Sequence, residues 1–195
     1  NPATLGSLPF GEQVLASFFQ SVTYRTAGFS TVDFSKIGEP TAVLSCVYMF
    51  IGGSSGSTAG GIKVSTIALL FFAFWNVLRG RSRIVILGRK ISIQTVLRAF
   101  TLCVIGICVT VFSGILICSV EHVPFVSALF ECTSAFGTVG LSMGLAPSLS
   151  PFSLGLLMLL MFFGRLGLLT IAYVILIGLQ SEDQLLDYPE AKIAI

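Results

Sequence analysis

Two short stretches hold the residue types most suited to chemistry. Thr23-Tyr24-Arg25-Thr26-Ala27-Gly28-Phe29-Ser30 and Ala135-Phe136-Gly137-Thr138-Val139-Gly140-Leu141-Ser142 share the pattern Thr-x-Gly-x-Ser, at an offset of 112 residues. Each lies in apolar sequence. Glycine permits backbone angles that turn carbonyls to one side. Rings of carbonyl oxygens can replace the hydration shell of a dehydrated cation. The chemistry suggested is coordination of a bare cation by a bent backbone.

The surrounding chain must position those bends. Of its 195 residues, 54% are hydrophobic and 10% charged, against about 25% charged in soluble domains. Too little polar sequence remains to cover a water-exposed surface, so the class is an all-α membrane protein in a lipid bilayer. No nucleic-acid partner is expected. The opening Asn1-Pro2-Ala3 shows no signal-peptide pattern, and the chain reads as one half of a larger unit. Cys46, Cys103, Cys108, Cys118 and Cys132 have no CxxC spacing and read as small buried hydrophobes.

Taken in order, residues 1–10 form an irregular entry. Residues 11–22 form a helix under about 20 Å long, too short to span a core of about 30 Å. With the bend at 23–30 it predicts a re-entrant segment, tolerated at depth only when buried in protein or lining a wet cavity. A polar loop at 31–40 carries Asp33, Lys36 and Glu39. The apolar run 41–78 is broken at Gly52-Gly53-Ser54-Ser55-Gly56-Ser57-Thr58-Ala59-Gly60-Gly61, a poor helix former that reads as a flexible break between two helical pieces. Residues 79–94 form a basic loop with Arg79, Arg81, Arg83, Arg89 and Lys90, and Arg98 follows. No acid occurs from Pro40 through Val120. The positive-inside rule makes this loop cytoplasmic. Residues 95–119 span outward, 125–137 repeat the short helix, 135–142 repeat the bend, and 152–179 span inward with Arg165 near the middle. The acidic tail, 180–195, is then cytoplasmic and both bends face outside.

The offset of 112 holds without a gap beyond the bends. It pairs Val14 with Val126, Ala16 with Ala128, Phe18 with Phe130, Met49 with Met161, Phe50 with Phe162, Gly52 with Gly164 and Thr58 with Thr170. The unit is helix, re-entrant segment, helix. Residues 95–179 hold one full copy and 1–78 hold a copy lacking its first helix. Both copies share one orientation, so a symmetry axis would run along the membrane normal.

The run Arg25–Ser30, the glycine-rich run from Gly52 through Ile62-Lys63, and the run Ser134–Ser142 together resemble the Trk/Ktr/HKT superfamily of potassium transporters, most closely the membrane subunit of Ktr systems. The resemblance covers nearly the whole chain. It implies four helix–pore-loop–helix repeats around one pore, of the potassium-channel-like type. This chain would supply the third and fourth of them. Thr26, Ala27, Gly28 and Phe29, with Thr138, Val139, Gly140 and Leu141, would be selectivity-filter segments, binding potassium at Gly28 and Gly140. The break Gly52, Gly53, Ser54, Ser55, Gly56, Ser57, Thr58, Ala59, Gly60 and Gly61 would be an intramembrane gate, with Lys63 and Arg165 beside it. The implied function is potassium uptake across the plasma membrane, with sodium coupling left open. The implied partners are a second copy and a cytoplasmic nucleotide-binding RCK-type subunit. Two filter segments cannot close a four-fold pore, so the others come from another part of the polypeptide or from a partner copy.

Arg165 is a cation within a span, where translocon scales give about 2.5–3.5 kcal/mol. It is expected to donate to carbonyls of the 52–61 break. Lys63 is expected to cap that break or snorkel. Arg25 and Glu131 are expected to pair behind the filter. Asp33, Glu39, Glu121 and His122 are expected to line an outer vestibule. Three alternatives belong to other classes. A phosphate loop at Gly56-x4-Gly61-Ile62-Lys63 fails, because Ile62 separates Gly from Lys. An intramembrane serine protease would use Gly53-Ser54-Ser55-Gly56 with His122, which lies at the outer edge, far from mid-span. The third is a non-conducting structural half of a transporter.

Overall fold

The computed structural model describes residues 4–6, 8–80, 84–86 and 89–166. The described chain is helical: α1 (Phe10–Thr23), α2 (Glu39–Phe50), α3 (Val64–Leu78), α4 (Ile93–Glu121), α5 (Phe125–Gly137) and α6 (Pro151–Leu166). Short 3-10 turns lie at Phe34–Lys36 and Ala146–Ser148. Two-residue strands β1 (Val85–Ile86) and β2 (Arg89–Lys90) form a small antiparallel pair within the stretch read as a basic loop. The second half of the span read at 152–179, and the tail at 180–195, lie outside the described residues.

Helix lengths follow the sequence's punctuation. Among the described residues only α4 is long and apolar enough to cross a membrane, at 29 residues, or about 44 Å at 1.5 Å per residue. Helix α1 has 14 residues and α5 has 13, so each reaches only about 20 Å. Helix α2 stops at Phe50, just before Gly52 and Gly53, and α3 starts after Lys63.

The offset of 112 extends to the turns. Phe34 of the first 3-10 turn matches Ala146 of the second, and Glu39 at the start of α2 matches Pro151 at the start of α6. The two copies are packed differently. Helix α5 lies among α2, α4 and α6, and all of 130–137 is buried. Helix α1 buries only Gln20 and Thr23, leaving Phe10, Leu15 and Phe18 exposed.

One core gathers Tyr24, Phe34, Ala42, Cys46, Met49, Phe130, Val139 and Leu141, and so joins the two bends. The other gathers Ile117, Ala128, Cys132, Ala135, Leu149, Leu157 and Leu160 between α4, α5 and α6. Cysteine burial is uneven, contrary to expectation. Cys46 and Cys132 are buried, but Cys108 is exposed on α4.

Small residues allow the close approaches. A Cβ at Gly164 would run into the Phe136 carbonyl, and one at Gly137 would meet the Met49 carbonyl at 2.5 Å. Glu121, at the end of α4, ties that end to the start of α6. It accepts from Ser150 N (3.0 Å), Ser150 Oγ (2.5 Å) and Ser153 Oγ (2.5 Å). The chain between α4 and α6 therefore goes in along α5, turns at Thr138 and returns to the level at which it left.

Candidate functional site

Each bend begins where a short helix stops. In the second copy the helix ends in a Schellman-type closure: Thr138 N donates to Ala135 O (3.0 Å) and Val139 N to Ser134 O (2.9 Å). Such an ending needs a left-handed residue, usually glycine. Here it is Thr138, at φ 52. The first copy ends similarly, with Ala27 N and Gly28 N both on Thr23 O and Thr26 at φ 66. Positive φ is a genuine outlier for a β-branched residue.

The glycine two residues on is also left-handed in both copies, Gly28 at φ 76 and Gly140 at φ 90. The residues between and after them, Ala27, Phe29, Val139 and Leu141, are not. Each strip thus alternates in hand. The C-terminal ends of α1 and α5, which carry the negative end of the helix dipole, abut the strips. The strips are neighbours: a Cβ on Gly28 would run into the Val139 carbonyl.

The strips' flanks differ. Val139 and Leu141 are buried, Leu141 to 4% exposure, while Phe29 is 72% exposed. The Phe29 carbonyl accepts from the Thr23 hydroxyl. The matching position in the second copy is Ala135, which has no hydroxyl to offer.

The break at 51–63 is a loop pinched at its base. Gly52 N donates to Ile62 O (2.8 Å), Ile62 N to Phe50 O (3.1 Å) and Val64 N to Gly53 O (3.1 Å). Gly52, Gly60 and Ile62 are buried, while 54–58 form an exposed tip. Gly56 and Gly61 have positive φ, 83 and 71. The base is thus ordered where the sequence suggests flexibility. Lys63 Nζ donates to Ser57 O (3.0 Å) and to Ala59 O, and so caps the loop. Arg165 donates to the Thr58 carbonyl.

One contact links the break to a bend. Gly60 N donates to Thr138 Oγ1 at 3.1 Å, across 78 residues of sequence. A Cβ on Gly60 would sit 2.6 Å from that hydroxyl, so the approach depends on glycine.

Other expectations are corrected. Arg25 is exposed, and no ion pair joins it to Glu131 among the described residues. Glu131 Oε1 instead accepts from Ser142 Oγ (2.7 Å) and Met143 N (2.9 Å). The acid is taken up by the strip following its own helix. Glu121 is not a bare vestibule charge, because it caps α6. Asp33 accepts from the Ser35 hydroxyl (2.6 Å) and pairs with Lys36 at 3.0 Å. The Ser35 hydroxyl first, then Lys36, hold its carboxyl down to about 2.

Gln20 was not visible as a site residue. The amide orientation that satisfies its surroundings has Oε1 accepting from Thr31 N (2.9 Å) and Val32 N (3.2 Å). The repeat pairs Gln20 with Cys132 and Glu131 with Phe19, so register alone hides its likeness to Glu131.

Paired bends of alternating hand thus end two short helices, α5 buried and α1 largely exposed, beside a broken helix in an apolar, helical chain. The profile of the TrkH family, described as cation transport protein, matches residues 1–185. The chain belongs to that family, which is one of transporters and not of enzymes, and the protease alternative falls with it. Ktr system potassium uptake protein B of Vibrio alginolyticus is 40% identical over 190 residues, covering 97% of this chain and 41% of the relative. The protein of the same name from Bacillus subtilis is 39% identical over 194 residues, covering 99% and 43%. Potassium/sodium uptake protein NtpJ of Enterococcus hirae is 36% identical over 199 residues, covering 100% and 44%. The chain spans less than half the length of these relatives.

Proposed function

We propose that this chain supplies two ion-coordinating segments of a potassium-uptake pore. The observation that carries the reading is the paired backbone outlier, Thr26 with Gly28 and Thr138 with Gly140, all at positive φ. Left-handed threonines cost on the order of 1–3 kcal/mol each. The same cost is met twice at equivalent positions, which supports a role for backbone shape itself. Alternating hand turns successive carbonyls toward one side, as a dehydrated cation requires. Thr26 through Phe29 and Thr138 through Leu141 are the coordinating strips, with potassium at the Gly28 and Gly140 carbonyls. Two strips form half a ring, so the remaining strips come from another part of the polypeptide or from a second copy.

The break at 52–61 is the gate in this reading. It is anchored by Arg165 and Lys63 and rests on Thr138. The units are 1–78 and 95–179, each a helix–pore-loop–helix repeat with the first lacking its leading helix. The basic stretch at 79–98 faces the cytoplasm by the positive-inside rule, and both strips face outside. The relatives' names support potassium as cargo, and the name potassium/sodium uptake protein keeps sodium as a co-substrate. Assembly as a homodimer on a nucleotide-binding RCK-type subunit rests on family membership alone.

The test is uptake by the full-length polypeptide in potassium-depleted cells that lack their own uptake systems. Gly140→Ser and Gly28→Ser each place a side chain at positive φ, and each should raise the KM for potassium at least about tenfold, the effect of ~1.4 kcal/mol. Unchanged uptake in the double variant would leave the chain a non-conducting half.

A further inference from the structure

The outer end of each strip is held by a polar side chain on the short helix that precedes it. In the second copy Glu131 Oε1 accepts from Met143 N (2.9 Å) and Ser142 Oγ (2.7 Å). In the first, Gln20 Oε1 accepts from Thr31 N (2.9 Å) and Val32 N (3.2 Å), with Thr31 Oγ1 at 3.0 Å. Thr31 and Met143 are equivalent positions at the offset of 112. The braced N–H is therefore the same in both copies, although the bracing residues are one position out of register. Glu131 is 5% exposed and Gln20 is 8% exposed.

The serines that end both strips make a second shared contact. Val32 N donates to Ser30 Oγ (3.1 Å) and Gly144 N donates to Ser142 Oγ (2.9 Å), again equivalent positions. A strip held only where its helix ends could draw inward around a smaller ion. A strip held at both ends keeps its carbonyls at a fixed spacing. We infer that Glu131 and Gln20 are positioning residues for ion selection, each fixing the outer end of its strip through the same backbone N–H. Neither touches the ion; each acts through the strip. The inference rests on the strips being filter segments.

The test uses the full-length polypeptide in potassium-depleted cells, with potassium and sodium uptake and membrane protein amount measured together. Glu131→Ala should raise the KM for potassium about tenfold and reduce discrimination against sodium by a similar factor, as expected for a lost bond to a charged group. Glu131→Gln keeps an acceptor oxygen and should recover to within about threefold. Gln20→Ala loses a neutral acceptor and should shift both readouts about threefold in the same direction. A merely structural role would lower protein amount and maximal rate in proportion and leave KM and sodium discrimination alone; that result overturns the inference. If Glu131→Ala does not accumulate, Gln20→Ala and Ser142→Ala carry the test, and wild-type discrimination in both overturns it. The unmutated protein separates the two readings. Uptake there with indifferent variants sinks the brace alone, and no uptake there sinks the pore with it.

Discussion

The helix after the first bend stops at Phe50, whereas the helix after the second runs past the matching position to Leu166, the last described residue. Gly52 and Gly164 are equivalent, and both sit against a carbonyl that forbids a side chain, Gly60 for the first and Phe136 for the second. Only the first is followed by a glycine- and serine-rich run. At the matching positions the second copy has Arg165 and Leu166, where Gly53 and Ser54 stand in the first. One glycine alone costs a helix about 1 kcal/mol and is tolerated. A run of them with serines makes the helical form uncompetitive, and the chain folds into the pinched loop instead. The same glycine thus serves close packing in both copies, and its neighbours decide whether the helix survives. Helix α6 also carries the cation, Arg165, that holds the loop of the broken helix.

The largest effect that sharpens this contrast should come from Gly164→Ala. Its methyl would meet the backbone of Phe136, which cannot move without shifting the second bend. Overpacking of this kind costs typically about 1–3 kcal/mol. Thermal unfolding of purified protein should show a clear drop, whereas Gly155→Ala on the same helix, with nothing within 4 Å, should be neutral or raise stability by up to about 1 kcal/mol. Equal effects of the two would break the claim that packing holds Gly164.

A smaller effect is expected from Arg165→Gln. It removes a charged donor from the Thr58 carbonyl at the loop's exposed tip, a loss of about 1 kcal/mol. The loop should open more often and potassium flux should rise about fivefold at most. Unchanged flux at normal protein amount counts against the anchor.

The smallest effect concerns a charge present in one copy only. Asp33 stands where the second copy has Leu145. Its folded carboxyl is depressed to about 2, below the ordinary value of about 3.9. A depressed pKa contributes stability above the unfolded value, and that contribution is lost as pH falls through the folded one. Melting of wild type and Asp33→Asn should therefore differ by the same small amount from pH 5 to 8, and converge only below about pH 4. Divergence near neutrality would mean another group titrates there.

The pairing of the copies was legible because the offset is ungapped and the bends repeat their Thr and Gly. The partner of Arg165 was legible from cost, since a cation in a span needs carbonyls and a broken helix supplies them. The brace was not, because Gln20 and Glu131 occupy neighbouring registers and only side-chain reach makes them alike. The Gly60–Thr138 contact was not either, as no local pattern encodes an approach across 78 residues. The Arg25–Glu131 pairing failed because it matched charges alone. A buried acid next to free N–H groups takes those first, and Arg25 has solvent-facing room to stay exposed.

The clasp at Glu121 bears on how the second copy is made. Its partners Ser150 and Ser153 lie 29 and 32 residues downstream. At about 5–20 residues per second of synthesis, the end of α4 waits roughly 1.5 to 6 seconds before the groups that clasp it exist. During that interval the carboxylate keeps its water, which favours leaving the end of α4 at the bilayer surface while the short helix and bend are still being translated. The clasp cannot close before Ser153 is made, so the serines that satisfy Glu121 set the earliest moment at which the two ends of the connection between α4 and α6 can be tied together.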